Sequence, residues 1–241
     1  MSWFVIFLTC LCAGCLQSVT GFGAAIIMMQ IFPYFLGMIT SPALVGATCL
    51  ALSGTLTWRF RRQINWQVSV LPTLVYICFN LITINLVRSV DLSLLTAAFG
   101  VFMVLLSGYF LLFSGKISFS ANRKTAIVCA SISGCTAGFF DIGGPLMALY
   151  FISSCKSKEN YIASLQFMFF SSDVVSLCMR AAKGIYTVDL IPLTLLGFVA
   201  VTIGKKWGLK LLDKLNIQLM KKIVYIFVGI SGLVTVLRQV L

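Results

Sequence analysis

Apolar residues run through the chain in long blocks separated by short polar clusters, and block length predicts the elements. Six blocks, at 42–60, 67–87, 92–113, 160–180, 188–207 and 217–240, approach or pass the ~20 residues with which a helix crosses a ~30 Å hydrocarbon core. Two others, 3–38 and 124–155, are longer. As straight helices they would run to roughly 54 and 48 Å, so each must bend, tilt steeply or turn back. Both carry glycines near the middle, in "TGFGAAI" (20–26) and "GFFDIGGPLMALYF" (138–151).

The chain also matches itself. Residues 14–26 lie over 134–146, so that Gly14, Cys15, Gly23 and Ile26 meet Gly134, Cys135, Gly143 and Leu146. The same offset, without a gap, brings Trp66, Val68 and Pro72 onto Tyr186, Val188 and Pro192. A constant offset between two glycine-broken segments is the mark of an internally repeated transporter-like design.

Composition fixes the class. The chain has 241 residues, 60% hydrophobic and 10% charged, with a mean hydropathy of +1.04, which describes a polytopic membrane protein. The net charge of +12 sits in short clusters between apolar blocks, and with no basic domain the chain has no surface for nucleic acid. There is no histidine, which excludes a His-dependent triad, and six acids leave few ligands for a zinc or two-metal site. No GxxxxGK[ST] loop is present, so neither ATP nor any other cofactor is expected. Most of the nine cysteines lie in apolar blocks and read as small packing residues. The opening "MSWFVIFLTCLCAGC" lacks a basic n-region and reads as a retained membrane segment rather than a lipoprotein signal.

Loop charge decides how the glycine-rich blocks run. If both cross once, the 18 Lys and Arg residues divide evenly and give no orientation. If 124–155 enters and leaves on one side, fourteen gather on that side and four (Arg88, Arg180, Lys183 and Arg238) on the other. The bias predicts a helical hairpin at 124–155, and repeat symmetry extends it to 3–38. The expected architecture is all-α, with two inverted repeats, each a Gly-broken hairpin plus three transmembrane helices. The first repeat covers 1–115 (hairpin 3–38, spans 42–60, 67–87 and 92–113). The second covers 116–241 (hairpin 124–155, spans 160–180, 188–207 and 217–240). Both termini then lie outside, with the basic loops in the cytoplasm.

A hairpin tip at membrane depth must be buried in protein or line a watery cavity, because lipid leaves its N–H groups unpaired. Gly21, Gly23, Gly143 and Gly144 allow positive φ and close backbone approach, and Pro145 suits the first turn of the returning arm. The arms that start near Ala24 and Pro145 point helix N-termini at the tips, which makes a compact anion site without a fixed cation. Asp141, opposite Gly21 in the repeat, is an acid at membrane depth. It can take a proton, bind a cation, or cap the helix starting near Pro145. Gln166, Asp173 and Arg180 recur every seven residues and share one helix face, with Arg180 expected at the outer end. Gln17, Gln30, Asn80 and Asn85 are further polar groups in apolar blocks, suited to interhelical hydrogen bonds.

"GFGAAI" and "AGFFDIGGPLMALYF" resemble the paired signature of the TauE/SafE sulfite exporter family, also called TSUP, and the likeness covers essentially the whole chain. The resemblance implies a secondary transporter of small anions, among them sulfite, sulfonates and thiosulfate. Carried over by position, it places Gly21, Gly23, Ala24, Gly143, Gly144 and Pro145 at the substrate. The expectation is a cytoplasmic-membrane transporter of a small organic or sulfur-containing anion, working by alternating access. Gly21, Phe22, Gly23, Ala24, Asp141, Gly143, Gly144, Pro145 and Gln166 are expected at the substrate, and Asp141 and Asp173 are candidates for coupling to protons. A passive anion channel and a membrane-embedded thiol enzyme centred on Cys15 and Cys135 are the alternatives. A homodimer stays open.

Overall fold

The computed structural model describes residues 2–113 and 122–211, together with Ile230, Leu233 and Leu237. The expected span 217–240 lies outside the described residues apart from those three positions, as do Lys116, Lys214, Lys221 and Lys222. Among the described residues there is no strand.

The helices follow the sequence blocks: α1 (Ser2–Thr20), α2 (Ala24–Ile31), α3 (Pro33–Leu36), α4 (Ser41–Phe60), α5 (Trp66–Leu86), α6 (Leu92–Phe113), α7 (Arg123–Phe140), α8 (Gly144–Ser154), α9 (Lys158–Ala182) and α10 (Ile191–Leu211). Prolines sit in the first turns of α3, α4 and α8, where the missing N–H has no intrahelical partner to lose. Asn122 and Ser157 cap α7 and α9 by accepting from Thr125 N and Asn160 N at 2.8 and 3.1 Å. Each glycine-rich block is therefore broken by three residues, between α1 and α2 in one and between α7 and α8 in the other, and the two helices of each pair pack against each other; the short α3 follows α2 in the first block. Neither half-helix α2 nor α8, at 8 and 11 residues, is long enough to cross a membrane alone.

Among the described residues, four helices are long and apolar enough to cross a membrane: Trp66–Leu86, Leu92–Tyr109, Lys158–Ala182 and Val188–Gly208. Their outward positions are apolar, with Leu74, Leu86, Leu105, Leu195 and Val199 exposed. Asn85, expected in an interhelical bond, is instead exposed and donates within α5 to Leu81 O at 2.9 Å, whereas Asn80 is buried between helices. Asn80 on α5 donates to Ser172 Oγ and accepts from Ser176 Oγ on α9, at 3.3 and 3.0 Å. This apolar-out, polar-in arrangement suits a lipid solvent, and the chain is a multi-pass membrane protein.

Packing has a regular plan. α4 packs on α9 at the centre; α1 packs on α10 and α7 on α5; α4 packs on α10 and α9 on α5; α2 packs on α4 and α8 on α9. Exchanging α1 with α7, α2 with α8, α4 with α9 and α5 with α10 leaves these pairs unchanged.

Two seams bring backbones together. A Cβ on Gly138 of α7 would lie 2.6 Å from the Asn80 carbonyl of α5, and one on Gly134 would strike the Tyr76 carbonyl. On the other seam a Cβ on Gly208 of α10 would lie 2.6 Å from the Cys15 carbonyl of α1, and one on Gly14 of α1 would strike the backbone at Val201. Only glycine permits such approach. Gly14 and Gly134, matched in the sequence repeat, both stand on these seams.

Candidate functional site

The first break closes α1 with a bond from Gly21 N to Gln17 O at 2.8 Å, and the chain reverses through left-handed φ values of 85° at Gly21 and 106° at Gly23. Left-handed backbone is costly for residues with a Cβ, which accounts for both glycines. Gly23 immediately precedes α2, and no side chain caps that helix start. From α9, Gln166 Nε2 donates to Gly21 O at 2.6 Å and ties the break to the facing helix.

The second break uses the same closure with other residues. Asp141 N bonds Ala137 O at 2.8 Å, and Asp141 itself adopts the left-handed conformation at φ 58°. Asp is one of the few side-chain-bearing residues that tolerate this region. Two expectations are corrected here. Gly143 has φ −124° and Gly144 is the first residue of α8, so neither glycine is needed for positive φ. They are needed for space: a Cβ on Gly143 would collide with the Tyr76 hydroxyl and lie 2.7 Å from Ser133 O, and one on Gly144 would meet Phe22 Cβ at 3.0 Å. Nor does Asp141 cap the following helix. It ends α7, while α8 starts after Gly143 with no side-chain cap and with Pro145 in its first turn.

The two breaks meet at one cavity of about 40 Å³. Of the residues expected at the site, Phe22, Gly23, Asp141, Gly143, Gly144, Pro145 and Asp173 line it together. Gly21 and Ala24 are buried behind the lining, and Gln166 reaches Gly21 rather than the cavity. The structure adds Gln17, Cys49, Ser53, Tyr76 and Phe169 to the walls. Gln17 is visible in the sequence only as an interhelical polar group. Ser53 had one available signal, since it precedes Asp173 by the repeat offset of 120.

The charged groups lie close together. Ser53 Oγ donates to Asp173 Oδ2 at 3.3 Å and to Cys49 O at 3.0 Å. Asp141 and Asp173 lie within electrostatic range of each other and of Arg180. Arg180 is corrected most. Expected at the outer end of α9 and counted among the outside charges, it is 1% exposed, and its Nη2 donates to Gly138 O at 2.9 Å and Ala137 O at 3.3 Å. Its cation thus answers the carbonyl end of α7, the negative pole of that helix. The site has a fixed cation nearby, which the sequence reading lacked, but that cation is not on the cavity wall. Removing Arg180 from the loop count leaves fourteen against three. The shared inward face of Gln166, Asp173 and Arg180 is present as expected. Cys15 and Cys135 do not line the cavity, where the one thiol among the lining residues is that of Cys49.

What these walls offer is the start of two half-helices, two carboxylates, and a few neutral hydrogen-bonding side chains. The family model described as "Sulfite exporter TauE/SafE" matches residues 6–235. Neither the search of curated proteins nor that of solved structures found a match.

Proposed function

The chain belongs to the sulfite exporter TauE/SafE family, a family of transporters, and on that premise we propose that it is a secondary transporter of a small organic or sulfur-containing anion. It sits in the cytoplasmic membrane with basic loops inside and both termini outside, and it alternates access around the two helix breaks. The observation that carries this reading is the cavity, walled by Phe22 and Gly23 of one break and by Asp141 to Pro145 of the other. Broken helices that meet between two structural repeats are where secondary transporters hold their cargo. The exchange of packed pairs described above supports the two inverted repeats, the first over 1–115 and the second over 116–241. Asp141 and Asp173 are the groups proposed to couple transport to protons, because they are the acids on the wall.

Purified protein in liposomes tests this directly. With an imposed pH gradient, labelled sulfite or a short sulfonate accumulates above its equilibrium level, and a protonophore abolishes the excess. Equilibration without accumulation would make the protein a passive channel.

A further inference from the structure

The cavity walls are electrostatically divided, and the division speaks to the cargo. Gly23 and Gly143 stand directly before α2 and α8, and neither helix start has a side-chain cap. Their first N–H groups are therefore available to an anionic group. Facing the same space are Asp141 and Asp173, and no Lys or Arg is among the lining residues. Arg180, the nearest buried cation, is engaged with the carbonyls of Ala137 and Gly138.

A simple anion in this cavity meets opposing forces of unequal size. A helix N-terminus carries only about half an elementary charge, and its pull on an anion is modest. A full like charge within a few ångströms opposes it more strongly. While both are ionised, the two carboxylates outweigh two helix starts, with Arg180 offsetting part of their charge. The balance reverses if the ligand carries a positive group a few bonds from its negative one.

Two further side chains point to a ligand. Gln17 and Tyr76 are 4% and 3% exposed, both line the cavity, and neither side chain has a hydrogen-bond partner among the described residues. Buried polar groups are normally paired. The Tyr76 hydroxyl lies against Gly143, at the start of α8, where it can donate to an anionic oxygen held there.

We propose that the cavity takes a small zwitterion, an amino acid or aminosulfonate. Its ammonium pairs with Asp141 and Asp173, and its carboxylate or sulfonate meets the starts of α2 and α8 with help from Tyr76 and Gln17. This rests on the transporter reading above and names the substrate class of the same cavity.

The test uses matched ligands that differ by one amine: 2-aminoethanesulfonate against ethanesulfonate, and β-alanine against propionate, with sulfite as reference. Binding to the purified protein is measured by calorimetry at mildly alkaline pH. The amine-bearing member of each pair is expected to bind at least about tenfold tighter. Asp141→Asn keeps a residue that tolerates the left-handed backbone, and together with Asp173→Asn it is expected to erase that advantage. Equal or tighter binding of the amine-free members, or an amine advantage that survives both substitutions, overturns the proposal. Liposome uptake separates the two readings. Accumulation of sulfite with no preference for amines leaves the transporter standing and removes the zwitterion. Accumulation of none of the five ligands removes both.

Discussion

The two helix breaks solve one geometric problem with opposite chemistry. At the first, Gly21 has no side chain, and the carboxamide of Gln166 reaches across from α9 to its carbonyl. At the second, the positions are reversed: the break carries Asp141, and the facing helix α4 carries Gly46. A Cβ there would lie 3.0 and 3.3 Å from the two Asp141 carboxylate oxygens. Residues 21 and 141 stand 120 apart, and so do 46 and 166. Each break thus has a polar side chain between it and its facing helix at the matched positions, sent from the facing helix in one case and from the break in the other. The acid at membrane depth is not an addition to the fold. It occupies the place where the other half holds a neutral amide, and it leaves one break tied and uncharged and the other charged.

That comparison is most open to breakage at Gly46. Gly46→Gln pushes a side chain into the Asp141 carboxylate. It is expected to lower stability by about 1–3 kcal/mol as overpacking and to abolish uptake in liposomes. Adding Asp141→Gly recreates the arrangement of the first break, and the thermal midpoint of the double variant recovers most of the loss. An equal drop in both backgrounds would sink the exchange of roles. A smaller effect separates the two N-terminal glycines. Gly143→Ala is expected to lose about 1–3 kcal/mol through collision with Tyr76, and Tyr76→Phe restores part of it. Gly23→Ala loses about 1–2 kcal/mol through its backbone conformation, and Tyr76→Phe does nothing for it. Thermal unfolding of the four variants reads the difference. The smallest effect is at Gln166→Met, which removes the bond to Gly21 O and is expected to cost about 1 kcal/mol. Its hydrogen-exchange signature should be faster exchange confined to residues near Gly21, with Asp141 and its neighbours unchanged.

Much of this was legible before any coordinates, because lipid imposes simple rules. Spans follow from block length, and the breaks at 21–23 and 141–143 follow from glycines that no straight helix in lipid would place together. Placing the two tips together also put Phe22 and Gly144 among the residues expected at one site, and both line the cavity. What could not be read was which way side chains turn. Arg180 looked like an outer loop charge because sequence gives its distance along α9 but not the α7 carbonyls that wait for it. Tyr76 and Ser53 are ordinary members of apolar blocks until α5 and α4 are packed against the breaks. Asp141 invited a capping role because Asp caps helices. Its φ of 58°, at the end of α7 rather than the start of α8, is a property of the turn and has no sequence period.

The glycine seams decide which pieces of this molecule can travel together. Where Gly134 and Gly138 lie on the α5 backbone, and Gly14 and Gly208 join α1 to α10, backbone meets backbone, and the Phe79, Thr83 and Ser18 side chains share the contact at close range. Such a joint has one fit and behaves as a weld. A motion that parts the two breaks therefore carries α10 along with α1 and α5 along with α7. If access alternates as proposed, the rigid bodies are mosaics, each drawn from both repeats, and the dividing line between them runs through the α4–α9 contact rather than between residues 115 and 116.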